Sequence, residues 1–98
     1  MATFISTLKF TDQGIQNIKH TCERADAFKA AAERMGVKVR DIYWTLGPFD
    51  GVAIFDASDD ETATALMLQV GSKGSVKTET CRAYQAEEMQ GILGKLSD

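Results

Sequence analysis

From residue 3 to residue 10 the chain alternates. Phe4, Leu8 and Phe10 fall on one face of an extended segment, with Ser6 among them; Ile5, Thr7 and Lys9 fall on the other. β-branched and aromatic side chains dominate, so these residues predict a first strand. Ser6 reads as a small polar residue satisfied within an apolar face. After Thr11-Asp12-Gln13-Gly14, a turn and helix entrance, the period changes. Ile15, Ile18, Cys22, Ala25, Phe28, Ala32 and Met35 recur at steps of three and four. That spacing predicts one long helix to Met35, closed by Gly36 as a left-handed cap. It puts Cys22 in the packed stripe and His20 roughly opposite, toward solvent.

Residues 37 to 46 alternate without a clean polar face. Val37, Val39, Asp41, Tyr43 and Thr45 stand against Lys38, Arg40, Ile42, Trp44 and Leu46. Gly47-Pro48-Phe49-Asp50-Gly51 is turn punctuation, too short for a crossover, so the next strand returns antiparallel. Val52 to Phe55, with Ala57 beyond Asp56, reads as a strand covered on both faces. Ser58-Asp59-Asp60-Glu61 offers acceptors to a helix start, and its acidity suits the helix dipole better than a metal. Ala63, Leu66, Met67 and Val70 continue that helix, and Gly71 and Gly74 bracket its exit. A fourth strand follows over 75–84, with Val76, Thr78, Thr80, Arg82 and Tyr84 on one face. Met89, Ile92, Leu93 and Leu96 then predict a short docking helix over 86–96, weakened by Gly91 and Gly94.

The order strand, helix, strand, strand, helix, strand, helix is that of a ferredoxin-like split βαβ fold, βαββαβ plus a C-terminal helix. Such an α+β domain has an antiparallel sheet with both helices on one face. The two-sided strands call for a cover over the other face. A second copy of the chain supplies it, two sheets closing into a dimeric α+β barrel.

Composition narrows the partners. The 98 residues make one domain, 1–98, and a monomer of this size buries only about two-thirds of its unfolded surface. Eleven basic against fourteen acidic residues give a net charge of −3, with no basic block, which argues against a nucleic-acid interface. No signal peptide is read at the start of the chain, and no apolar run approaches the ~20 residues of a membrane span. Cys22 and Cys81 form no disulfide framework, so the expected compartment is the cytoplasm.

Several stretches together resemble the GYD-domain family, small bacterial proteins named for a Gly, Tyr, Asp motif at the hairpin. The resemblance rests on Leu46-Gly47-Pro48-Phe49-Asp50-Gly51-Val52-Ala53-Ile54-Phe55 and on Phe10-Thr11-Asp12-Gln13-Gly14-Ile15. Glu23-Arg24-Ala25, Gly36-Val37-Lys38-Val39 and the run from Gly71 to Thr80 extend it over nearly the whole chain. Phe49 stands where the family has tyrosine, and Pro48 where it commonly has a polar residue. No role that needs the tyrosine hydroxyl therefore carries over. The resemblance implies a ferredoxin-like fold related to dimeric α+β barrels. That architecture includes cofactor-less monooxygenases, haem-degrading proteins, ligand-sensing domains and stress-responsive proteins, and fold does not choose among them.

Candidate chemistry is sparse. Asp50, between two glycines, is either a base or anchor at a pocket rim or, the stronger reading, the cap of its own turn. Tyr43, Trp44, Arg82 and Tyr84 are expected to gather where strands two and four approach, to hold a planar anion or to form an interface. Asn17, His20 and Trp44 lack a spacing suited to haem. His20 and Cys22 diverge on a helix and make no zinc site. No G-x-S-x-G, P-loop or G-x-G-x-x-G occurs. The expectation is a cytoplasmic homodimer or higher even oligomer, without metal or cofactor, binding a small molecule or protein partner rather than catalysing. Its cleft would lie between sheet and helices, with Tyr43, Trp44, Asp50, Arg82 and Tyr84 as ligand contacts. The rival is a small cofactor-independent oxygenase or isomerase using Asp50, Arg82 and Tyr43 on an aromatic or enolisable acid. A third reading makes the chain a structural subunit of a larger assembly, docked through its tail helix.

Overall fold

A computed structural model describes residues 1–97 of the protein. Strand β1 (Ala2–Phe10) leads into a short helix α1 (Asp12–Gln16), a single 3₁₀ turn (Ile18–His20) and helix α2 (Thr21–Arg34). Strands β2 (Lys38–Trp44) and β3 (Gly51–Ala57) follow, then helix α3 (Asp60–Ser72), strand β4 (Val76–Ala83) and helix α4 (Ala86–Leu93). The sheet is antiparallel throughout, in the order β2-β3-β1-β4. This is the expected ferredoxin-like α+β arrangement, with the hairpin between β2 and β3 in place.

Phe4, Ser6, Leu8 and Phe10 face the helices, opposite Phe55, Ala53 and Gly51 on one side and Arg82, Thr80, Thr78 and Val76 on the other. Phe4 and Phe55 stack with centroids 5.6 Å apart. Ala32, Val37, Ala57, Ala63 and Leu66 close the core around them. Ser6 is fully buried, and its Oγ accepts the Thr80 hydroxyl at 3.0 Å. Gly36 ends α2 with φ of +73°, the left-handed cap the sequence announces. The Val37 N–H reaches back to the Ala32 carbonyl and the Gly36 N–H to Glu33. Asp59 starts α3 by accepting the Thr62 N–H at 2.7 Å, and that bond holds its carboxyl below the usual range.

Three expectations are corrected. The first helical segment is not continuous. Asn17 closes α1, its carbonyl accepts the His20 N–H of the following 3₁₀ turn, and Arg24 braces the break by donating to the carbonyls of Asn17 and Gly14. The break turns the packed stripe to Thr21, Ala25, Phe28, Ala32 and Met35, leaving Ile15, Ile18 and Cys22 exposed. His20 is exposed as expected, beside Glu23 at 3.3 Å. Second, within one chain β3 is covered on its helix side alone. Gly51, Ala53, Phe55 and Ala57 are buried while Val52, Ile54 and Asp56 stay half-buried.

Third, the mixed pattern of β2 has a cause within the strand. Val39 pairs with Phe55 and Asp41 with Ile54, so the register shifts at Arg40. This bulge inserts one residue. Val39 before it and Ile42 and Trp44 after it, paired with Phe55, Ala53 and Gly51, all share the helix-facing side. Tyr43, opposite Val52, is left on the uncovered side. No helix among the described residues is long and apolar enough to cross a membrane.

Candidate functional site

α2 and α3 leave a gap over one end of the sheet, where β1 and β2 finish and β3 and β4 begin. The gap is a cavity of about 450 Å³. Leu8, Phe10, Ile42, Gly51, Ala53 and Val76 form its sheet side. Ala25, Phe28 and Ala31 of α2 and Val70 of α3 form its helix side. Small side chains contribute on both sides, Gly51 and Ala53 on β3 and Ala25 and Ala31 on α2. A Cβ added at Gly51 would lie 3.0 Å from the Tyr43 carbonyl oxygen and 3.8 Å from Leu8 Cδ1.

The mouth is polar. Thr21, Arg24, Trp44, Asp50, Gln69, Lys73 and Ser75 also line the cavity. Trp44 donates from Nε1 to Thr21 Oγ1 at 3.0 Å, tying the end of β2 to the start of α2. Arg24 donates to Asn17 O at 2.8 Å and Gly14 O at 3.4 Å. Gly14 sits hard against the start of β4. A Cβ there would lie 2.1 Å from the Ser75 carbonyl oxygen, so α1 can approach that closely only through glycine.

Asp50 neither caps its own turn nor stands free. Its Oδ2 accepts the Phe10 N–H at 2.8 Å, and its own N–H donates to Leu8 O at 2.8 Å. It therefore clamps the hairpin loop to the end of β1. Thr45 closes the same loop, donating from Oγ1 to the Phe49 carbonyl at 2.7 Å and from its N–H to the Asp50 carbonyl. The residue at position 49 serves that loop through its backbone.

Tyr43, Trp44 and Asp50 all border the cavity, whereas Arg82 and Tyr84 do not. The expected gathering of the five fails because β2 and β4 are opposite edges of the sheet. Arg82 lies 4.5 Å from the Tyr84 ring centroid and 5.8 Å from that of Phe4. It also pairs with Glu88 of α4 at 3.1 Å. Glu88 in turn accepts the Gln85 N–H, and that bond, then Arg82, holds its carboxyl below the usual range. This second cluster fastens the tail helix to the core edge. Among the described residues no group of three or more His, Cys, Asp or Glu side chains is placed to hold a metal ion.

Sequence reasoning missed Thr21, Arg24, Phe28 and Lys73 at the cavity. The signal was present in the alanines of α2 and the small residues at the start of β3, since small side chains leave space.

The model of the GYD domain matches residues 4–93. The chain belongs to the GYD-domain family. A relative from Thermus thermophilus, named glutamine synthetase and cystathionine beta-lyase binding protein, is 37% identical over 90 residues, 91% of this chain and 95% of that protein. A crystal structure of a Thermus thermophilus protein matches with a TM-score of 0.58 and 25% identity, covering 88% of this chain and 96% of that one. An ACT domain protein from Streptococcus pneumoniae matches at a TM-score of 0.51 and 18% identity, covering 85% and 90%. That last likeness speaks for the fold alone.

Proposed function

We propose that this GYD-domain protein is a cytoplasmic binding protein that holds a small molecule in the cavity and engages an enzyme through its surface. The observation that carries this reading is the preformed apolar cavity, whose carboxylate, Asp50, is committed to the Phe10 backbone. Its volume of about 450 Å³ falls within the range of small-molecule sites. The enzyme partner is supported by the name of the Thermus thermophilus relative, 37% identical to this chain.

The reading includes an even homo-oligomer. The uncovered side of the sheet carries Ile5, Val52 and Ile54 on its two central strands, with Tyr43 on the β2 edge beside Lys38 and Asp41, and Lys9, Lys77 and Glu79 around the other side. Tyr43 is 54% exposed. An apolar centre with a charged border suits a self-complementary interface.

Native mass spectrometry on protein purified from its host tests ligand and oligomer together. The expected result is an even oligomer carrying a defined extra mass. Biolayer interferometry against the host's glutamine synthetase and cystathionine β-lyase tests the partner. A bare monomer that binds neither enzyme would overturn the proposal.

A further inference from the structure

The cavity wall is mainly apolar, and the charged residues among its lining have an excess of positive charge. Its charged side chains are Arg24, Lys73 and Asp50, two cations and one anion, a net charge of +1. The anion is engaged by the Phe10 N–H. Among the described residues neither Arg24 nor Lys73 forms an ion pair. Arg24 and the backbone of Lys73 both adjoin α1. Arg24 reaches the Gly14 carbonyl, while Gln13 donates to the Lys73 carbonyl at 3.2 Å and Gly14 lies against Ser75. The guanidinium spends two of its five N–H donors on backbone oxygens.

We infer that the cavity takes a small amphipathic monocarboxylate, its apolar body against Phe28, Ala53 and Val70 and its carboxylate at the mouth with Arg24 and Lys73. One net positive charge matches one carboxylate. Arginine is the side chain best shaped to receive it, with two parallel N–H bonds. The apolar walls reward a hydrocarbon or aromatic body and leave no partner for further polar groups deep inside. The inference rests on the reading of the cavity as a binding site.

The test compares three probes of one tail and different heads: decanoate, decanol and decyltrimethylammonium, each below its micelle concentration. Binding to the full chain is followed by ¹H–¹⁵N NMR. Decanoate is expected to shift the amides of Arg24, Ala53 and Val76 and to bind about tenfold more tightly than decanol. In Lys73→Gln that preference falls severalfold while decanol binding stays unchanged. Arg24→Gln should lose the preference as well, and because Arg24 also braces α1, the Lys73 variant is the decisive one. Equal binding of decanoate and decanol, or tighter binding of the ammonium, overturns the assignment of the head group and leaves the cavity reading standing. If no probe moves the cavity amides, the cavity reading falls and the inference with it.

Discussion

The same two helices cross the same sheet at both ends of the molecule, and the two ends are built oppositely. At one end Phe4 stacks on Phe55, with Leu66 and Val37 sealing the layer. At the other, Gly51 and Ala53 of β3 and Ala25 and Ala31 of α2 line an open space. β3 contributes to both ends within seven residues, Gly51 to Ala57. Stability is concentrated where its side chains are large, and room for a ligand arises where they are small. The polar groups follow the same division. Around the open end Asp50, Trp44 and Arg24 fasten loops and helix starts with hydrogen bonds, doing by direction what the closed end does by contact.

The largest test of this contrast is Phe55→Ala. It should destabilise the fold by about 3–5 kcal/mol in urea unfolding, because the Phe4 ring loses its partner in a sealed layer. A loss under about 1 kcal/mol would mean the closed end does not carry the fold. Asp50→Ala comes next, at about 1–3 kcal/mol, since it leaves the Phe10 N–H unpaired. Asp50→Asn keeps an acceptor and should recover most of that loss, a difference two melting curves would show. Ala53→Leu should change stability by no more than about 1 kcal/mol, since it grows into open space, yet abolish decanoate shifts at the cavity amides. If it unfolds the protein instead, the open end is packed more tightly than its volume indicates.

The smallest effect concerns pH and the helix starts. Glu88 and Asp59 both have carboxyls held below their usual range by backbone N–H groups. A pKa lower in the folded than in the unfolded state adds stability above the unfolded value. That stability is lost as pH falls through the folded value. Helix content followed by circular dichroism should therefore decline below about pH 4. In Glu88→Gln the decline should be shallower, and an unaltered profile would remove Glu88 from the account.

Much of the fold was legible because its signals are local. The alternation in β1, the cap at Gly36, the Asp59 start and the hairpin at Gly47 to Gly51 each depend on a few neighbouring residues. The cavity was not, because it exists only once α2 lies across β3, and neither element alone shows a gap. The site residues divide for the same reason. Tyr43, Trp44 and Asp50 flank one hairpin and stay together. Arg82 and Tyr84 were joined to them by an assumed strand neighbourhood, and the sheet order places β1 and β3 in between. The break in the first helical segment was hidden too, since Arg24 bonds Gly14 across ten positions of sequence.

The shift at Arg40 makes the shape of the cavity a matter of parity. Upstream of it the odd-numbered residues of β2 point toward the helices, and downstream the even-numbered ones do. A regular strand of the same sequence, held in place by Val39, would put Asp41 and Tyr43 where Ile42 and Trp44 now form the inner wall. A relative one residue shorter at this point would need no bulge, and its apolar positions would alternate cleanly from end to end. The count of residues between the Gly36 and Gly47 positions thus tells which parity a relative must read to find its own inner wall, something a score of overall sequence likeness does not reveal.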